Sequence, residues 1–163
     1  MSLIDVLVVQ LDDLRIGLRA DVVREILAAT TIAPLPAAPA IVEGVLNVRG
    51  LLVPVLDLRT RFGLRAVGVH PDQHFVIANA GARRVALRVD RALNVTSVAP
   101  EAFEAADRVV PGVPHVSALA RLPDGVLVIH DLERFLSLDE GRDMDEALSA
   151  AGEQAAAATE DAG

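Results

Sequence analysis

Cysteine is absent from this chain of 163 residues, which excludes disulfides, thiolate nucleophiles and cysteine-ligated metals. Tryptophan and tyrosine are absent too, and phenylalanine occurs four times, so few side chains could stack on bases or cage a ligand. The formal net charge is −8. A general nucleic-acid-binding protein needs a basic surface to neutralise phosphates, so nucleic acid is not an expected partner.

Long apolar runs are also missing. None reaches the roughly 18 residues that a membrane-spanning helix needs, and residues 1–20 have no basic stretch followed by an apolar one, as a signal peptide would. Together with the lack of cysteine, this pattern predicts a cytoplasmic protein without direct membrane insertion.

Catalytic motifs are missing as well. The chain has no Gly-x-Ser-x-Gly elbow, no phosphate-binding Gly-x-x-x-x-Gly-Lys-Ser/Thr loop and no dinucleotide-binding Gly-x-Gly-x-x-Gly. His70 and His74 are four residues apart, but Pro71 prevents them from sharing a helical face as a metal pair. We therefore expect no catalytic residues, no metal and no cofactor. A polar cluster assembled by the fold would instead indicate a small-molecule-binding or enzymatic β-barrel.

Hydrophobic residues make up 52% of the chain, enough for a substantial core, and the stretch 32–64 carries most of the structural signals. Three prolines at 34, 36 and 39 predict an extended surface loop. Two runs rich in β-branched residues follow, at 41–48 and 51–56, and Arg49-Gly50 between them predicts a tight hairpin. Asp57 is a typical N-cap for a short helix over 58–62, with Gly63 as its end.

Arg49 is the unusual residue of this hairpin, since it is a charge between two apolar strands and lies close to Asn47. It is either a solvated turn residue or a guanidinium exposed on a rigid hairpin, available for a partner's carboxylates or carbonyls. Arg49→Ala separates the two readings, because only the second predicts weaker partner binding without lost stability.

Other β-rich runs predict strands at 3–11, 15–18, 75–80, 85–89, 93–98, 113–122 and 126–130. A helix is predicted over 22–27, capped by Asp21 and apolar on one face. Beyond residue 142 the apolar residues are almost all alanine, so we expect a tail that is helical or disordered and that contributes little burial. Truncation after Arg142 is then expected to leave stability nearly unchanged.

An internal repeat runs through the chain. Residues 23–26 match 90–93, and residues 42–58 match 116–132, each copy ending in Asp-Leu. Chance similarity between Val/Leu-rich strands is the alternative, but the repeated order weighs against it. Each copy is too small to be stable alone, so we expect two similar β-lobes that share a core and have the same strand order.

Several pieces of the central stretch, in order and spacing, resemble the signature of CheW-type chemotaxis coupling proteins. They are Pro34-Leu-Pro36, Gly44-Val-Leu-Asn-Val-Arg-Gly50, Pro54-Val-Leu-Asp-Leu-Arg59 and Phe62-Gly63. The resemblance covers about residues 3–138 and implies a mainly β fold, with two five-stranded, SH3-like β-barrel subdomains packed together, short helices and a C-terminal tail. The expected domain spans 1–142, with lobes at about 15–85 and 86–138, strand exchange from 3–14 and a tail at 143–163.

The resemblance also implies a function. A non-catalytic adaptor would bind a chemoreceptor cytoplasmic hairpin tip and the regulatory domain of a CheA-type histidine kinase, and would be recruited to membrane receptor arrays. Its receptor groove would lie between the lobes. The partner-binding positions that it implies here are Val23, Glu25, Ile26, Asn47, Arg49, Val89, Leu93 and Val95. Asp12-Asp13 departs from the family, which often has glycine there, so an adaptor serving a non-chemotaxis pathway is the alternative.

Overall fold

The protein is described by a computed structural model that covers residues 3–104, 119–129, 132–135 and 141–152. Strands dominate this part of the chain. They are β1 (Ile4–Leu11), β2 (Leu14–Arg19), β3 (Val23–Ala28), β4 (Val42–Val48), β5 (Leu51–Asp57), β6 (His74–Ala80), β7 (Arg83–Val89), β8 (Arg91–Val98), β9 (Leu119–Arg121) and β10 (Leu127–Ile129). The helices are short: α1 (Leu58–Arg61), α2 (Pro100–Glu104), α3 (Leu132–Phe135), α4 (141–152) and a 3₁₀ turn at Ala20–Val22.

The strands form two five-stranded sheets with the same topology. Sheet 1 has the order β8-β1-β2-β10-β9, and sheet 2 has the order β3-β6-β7-β5-β4. In each sheet the third and fourth strands are parallel and the other neighbours are antiparallel. The predicted internal repeat is therefore confirmed, with β3, β4 and β5 equivalent to β8, β9 and β10.

The two sheets differ in how the chain fills them. Sheet 2 takes its strands from one continuous stretch, whereas the hairpin of β1 and β2 at the start of the chain completes sheet 1 beside β8 and β10. Neither ladder closes into a hydrogen-bonded ring among the described residues. In sheet 2 the segment after β3 only approaches β4, through an isolated bridge from Ala33 to Val45.

The main core lies between the sheets, as expected for two lobes too small to be stable alone. Side chains of β1, β2 and β10 pack there against those of β6 and β7, and Leu58, Phe62 and Phe135 of the helical segments fill one end. The other face of each sheet encloses a smaller core, around Val53, Phe75 and Ile77 in sheet 2 and around Val6 and Val128 in sheet 1.

The central hairpin and its cap are as predicted. Asp57 accepts a hydrogen bond from the backbone N–H of Arg59 at 3.0 Å and so caps α1. The predicted strand at 113–122 is described only from residue 119, and residue 131, in the Asp-Leu ending of the second copy, lies outside the described residues.

The helix predicted over 22–27 is wrong, because residues 23–28 form strand β3. Apolar residues at 22, 23, 26 and 27 suit a helical face, but a β-bulge between Val23 and Glu25 shifts the strand's alternation and produces the same spacing. β3 pairs with β6 along its length, and this pairing outweighs the local preference.

The expectation that the C-terminal segment contributes little burial is wrong for residues 141–152. Met144 and Ala147 of α4 are only 1% and 4% exposed, and Met144 belongs to the core between the sheets. Arg83 also holds α4, with two hydrogen bonds of 3.0 Å to the carboxylate of Asp145. One methionine and one ion pair thus dock a helix whose other apolar residues are mostly alanine.

Truncation after residue 140 is consequently expected to destabilise the protein. Full burial of a methionine side chain stabilises a fold by about 1.5–3 kcal/mol, and each kcal/mol shifts the midpoint of a domain this size by about 2–4 °C. Thermal unfolding followed by circular dichroism should show a midpoint several degrees lower. Glu146→Ala, at an exposed position of α4, is the control. An unchanged midpoint in the truncated chain would show that α4 contributes little to stability, as the composition suggested.

Candidate partner-binding surface

Most of the residues implied as partner-binding lie on the edges of the two sheets. Val23, Glu25 and Ile26 are on β3, the edge strand of sheet 2, and Leu93 and Val95 are on β8, the equivalent edge strand of sheet 1. Edge strands leave side chains and backbone groups accessible to another protein. The repeat thus places the two sets at equivalent positions of the two lobes.

Exposed apolar side chains mark both edge strands on the face that looks toward the other sheet. Ile26 stands opposite Val76, and Val95 stands opposite Leu7. Because cross-strand partners share a face, and Val76 and Leu7 both point into the core between the sheets, Ile26 and Val95 extend that core outward. They are 42% and 59% exposed, and Leu93 is 42% exposed.

A hydrogen bond joins the two walls of this surface. The backbone N–H of Ala92, at the start of β8, donates to Nδ1 of His74 at 3.2 Å, and His74 opposes Ala28 of β3 in sheet 2. The start of β8 therefore lies beside the end of β3. We call the surface formed by Ile26, Leu93 and Val95 the edge groove.

The structure separates Val89 from the other implied residues. Its side chain is fully buried in the core between the sheets, so it supports the groove and offers no surface to a partner. Val23 is half-buried and packs against the same core.

Arg49 lies at the tip of the hairpin between β4 and β5. Its φ is 51° and that of Gly50 is 87°, the positive pair that a type I′ turn requires. Asn47 stabilises this turn, because its Oδ1 accepts a hydrogen bond of 2.8 Å from the N–H of Gly50. The turn holds the backbone of Arg49 in the left-handed conformation, which non-glycine residues adopt infrequently. This backbone conformation sets the direction in which the Arg49 side chain leaves the hairpin.

The structure brings Arg49 and Glu25 together. Nη1 and Nη2 of Arg49 donate to the two carboxylate oxygens of Glu25 at 2.7 and 2.9 Å. The hydrogen bond from Arg49 lowers the pKa of Glu25, and the same hydrogen bond raises the pKa of Arg49. The pair links β3 to the hairpin on the opposite edge of sheet 2, and it leaves the Arg49 side chain 76% exposed.

Two polar networks were not predicted from the sequence. In the first, which we call the inter-sheet clasp, the buried guanidinium of Arg59 donates to Asp12 at 2.7 Å and to both carboxylate oxygens of Asp90 at 2.6 and 2.8 Å. Asp12 has a φ of 52°, where glycine would be unstrained. The sequence signal that could have indicated this network is the aspartate that stands where the family often has glycine.

The second network surrounds Arg88, whose side chain is 4% exposed. Its guanidinium forms a fork-to-fork pair with Glu43 of β4, and it donates to Gln73 at 3.1 Å and to the carbonyls of Val67 at 2.9 Å and Gly68 at 3.2 Å. Arg88 therefore fixes the irregular segment 64–73 against sheet 2. The sequence predicted only that Arg88 lies in a strand, because its hydrogen-bond partners are distant along the chain.

Acid is expected to weaken the clasp. Burial would raise the pKa of Asp90, but the hydrogen bonds from Arg59 and from the N–H of Asp12 outweigh it and hold the pKa below the ordinary 3.8. A lowered folded-state pKa stabilises the fold above the unfolded-state pKa, and this contribution is lost as the pH falls through the folded-state value. Thermal melts at pH 6 and below pH 4 should therefore show the parent losing more stability than Asp90→Asn, and parallel losses would contradict this.

Surface depressions of the described residues are open to solvent. The first lies between α4 and the turns near Leu51 and Arg83, the second between residues 29–32 and Val69, and the third beside Ile4 and Arg19. No three histidine, aspartate or glutamate side chains come close enough to hold a metal ion in the part of the chain that the structure describes. None of the described helices is long and apolar enough to cross a membrane.

Comparison with known proteins gives consistent matches. The family model for the CheW-like domain matches residues 5–140. A chemotaxis protein CheW of Treponema pallidum is 29% identical over 124 residues, which cover 72% of this chain and 73% of that protein. A chemotaxis protein CheW of Klebsiella aerogenes is also 29% identical, over 72% of each chain. The crystal structure of a CheW scaffolding protein from Thermoanaerobacter tengcongensis superposes with a TM-score of 0.72 at 24% identity, covering 85% of this chain and 96% of that one.

Proposed function

Because the chain belongs to the CheW-like domain family, we propose that it is a non-catalytic adaptor that couples chemoreceptors to a CheA-type histidine kinase. The receptor's cytoplasmic hairpin tip would occupy the edge groove, and the kinase's regulatory domain would bind elsewhere on the protein. The protein would act in the cytoplasm, at membrane receptor arrays. Its output would be a change in the conformational equilibrium of the kinase, which is a coupling between two binding events.

The observation that carries this proposal is the edge groove. Ile26, Leu93 and Val95 are large apolar side chains that stay exposed on two edge strands, and the ends of these strands approach each other at His74 and Ala92. Contiguous apolar surface rimmed by polar groups favours a protein partner, and Glu25, which pairs with Arg49, directly precedes Ile26 on β3. A helical hairpin presents a matching ridge of apolar side chains, since residues three and four apart share a face.

The alternative of a small-molecule-binding barrel has less support. The face of sheet 2 opposite the core between the sheets is filled by Leu46, Val53, Phe75 and Ile77. The described depressions are open to solvent, and the first of them, where polar side chains gather, is lined by Arg83 and Asp145, which already pair with each other. Ligand sites are usually concave, with a few well-placed polar groups.

Val95→Ala is expected to weaken binding of a purified chemoreceptor cytoplasmic fragment about fivefold, because truncation of a core interface residue costs about 1 kcal/mol. Isothermal titration calorimetry gives the affinity. Val67→Ala, at an exposed valine outside the groove (39% exposed), is the matched control, and binding of the kinase regulatory domain should be unchanged in both. Equal affinities for Val95→Ala and the parent would show that the receptor does not bind in the edge groove.

A further inference from the structure

The chain passes between the sheets at a single residue after β7. Val89 ends β7 in sheet 2, Arg91 begins β8 in sheet 1, and only Asp90 lies between them. The other described crossover, from β2 to β3, is the short 3₁₀ turn. A one-residue connection between two packed bodies is a hinge, because its backbone dihedrals absorb any rotation of one sheet against the other.

This hinge is held from several sides. The Asp90 carboxylate accepts two hydrogen bonds from Arg59, at 2.6 and 2.8 Å, and a third from the N–H of Asp12 at 2.7 Å. The N–H of Asp90 donates to the carbonyl of Gln10 at 2.9 Å. Both the backbone and the side chain of the hinge residue are therefore tied to the hairpin of β1 and β2.

Arg59 extends these ties to sheet 2. It lies in α1, directly after β5, where its N–H is bound to Asp57 at 3.0 Å and its carbonyl accepts from the N–H of Leu64 at 2.8 Å. Nη1 also donates to the carbonyl of Arg65 at 3.1 Å. The Arg59 side chain is 5% exposed and is fixed to sheet 2 by these contacts, whereas Asp12 lies in the turn between β1 and β2 of sheet 1.

The clasp adds a constraint on distance and angle that the apolar core between the sheets does not provide. Dispersion contacts between apolar side chains have no preferred direction, whereas the charge-assisted hydrogen bonds from Nη2 of Arg59 to two carboxylates are satisfied only at a defined distance and angle. The two sheets that it joins carry the two walls of the edge groove, with Ile26 on sheet 2 and Leu93 and Val95 on sheet 1.

We propose that Arg59 is a positioning residue that sets the separation of β3 and β8, and with it the width of the edge groove, without touching the partner. The relevance of this width to binding rests on the proposed function. The width itself is a property of the free protein and is measured without any partner, so the two proposals fail separately.

The absence of cysteine makes the measurement direct. Spin labels on Arg24→Cys and Asn94→Cys, at exposed positions of β3 and β8, report the separation of the walls by double electron–electron resonance. In the parent we expect one narrow distance distribution. Arg59→Lys keeps the charge but loses the planar guanidinium that bonds Asp12, Asp90 and the carbonyl of Arg65 at once. It should broaden or shift the distribution while the far-ultraviolet circular dichroism spectrum is unchanged.

Two further variants make the result decisive. Arg83→Lys removes an arginine pair outside the clasp, the fork on Asp145, and should leave the distribution as narrow as in the parent. A triple variant, Arg59→Met with Asp12→Asn and Asp90→Asn, removes all three charges together, which proteins tolerate better than loss of one partner. Its distribution should also be broad, and a parental distribution in both Arg59→Lys and the triple variant would show that the core alone sets the width.

Discussion

Arg88→Met is expected to lower the thermal midpoint by about 10 °C, which is the largest stability effect that we anticipate for a single substitution. Breaking a buried ion pair by removing one partner costs about 3–5 kcal/mol, and each kcal/mol corresponds to about 2–4 °C in a protein of this size. Arg88 is nearly inaccessible, and its carboxylate partner Glu43 is only 21% exposed.

The effect is large because several groups depend on the one guanidinium. Methionine keeps the apolar stem of the side chain but leaves Glu43, Gln73 and two backbone carbonyls without the hydrogen bonds that Arg88 donates. Buried polar groups that lose their partners incur a full desolvation cost. The irregular segment 64–73 would also lose its anchor on sheet 2.

Arg84→Met is the matched control, since Arg84 is an exposed arginine on the same strand, four residues earlier. It should change the midpoint by no more than a typical surface substitution does, within about 0.5 kcal/mol. Glu43→Gln combined with Arg88→Met should recover part of the loss, because the unpaired carboxylate is then gone. A single variant as stable as the control would show that water replaces the lost donors without cost.

The architecture was predictable because it depends on local patterns that repeat. The hairpin around Arg49-Gly50 and the cap at Asp57 have turn and capping residues whose roles are set within a few positions. The internal repeat then allowed the same strand order to be predicted for the second half of the chain, where the turn and capping signals are weaker. The two sheets do share one strand order. The order of apolar runs, turns and caps along the chain therefore carries topological information even where the two copies have few identical residues.

The errors arose where tertiary pairing decides the structure. In β3 the bulge at Val23 and Glu25 imitates the spacing of a helix, and only the pairing with β6 shows it to be a strand. In α4 the composition suggested little burial, but Met144 enters the core between the sheets. Alanine-rich composition measures average burial and cannot show that one well-placed side chain anchors a helix.

The charged networks could not be derived from one sequence. Arg59 and Asp90 are 31 residues apart, and Arg88 and Glu43 are 45 apart, so no local pattern connects the partners. Their burial is also contrary to the usual exposure of arginine. The candidate surface was partly predictable, because the implied residues do lie on two equivalent edge strands, although Val89 is buried.

Arg49→Ala is expected to weaken receptor-fragment binding about thirtyfold while the protein folds normally, which is the largest binding effect that we anticipate. Arginine is among the residue types that most often reach the hot-spot range of an interface when they are truncated. The side chain is 76% exposed, so little packing is lost in the free protein. The hydrogen bonds to Glu25 hold the guanidinium in one orientation before binding, which reduces the cost of ordering it in the complex.

A charge swap separates the two ways in which Arg49 could act. In the double variant Glu25→Arg with Arg49→Glu, the link between β3 and the hairpin can form again, but no guanidinium stands at the hairpin tip. If the partner contacts Arg49 directly, the swap should bind as weakly as Arg49→Ala, which is the result we expect. Recovery of the parental affinity would assign the pair to holding the edges of sheet 2 together. Thermal midpoints measured on the same preparations complete the comparison, since a loss of stability in Arg49→Ala with unchanged affinity would make the residue purely structural.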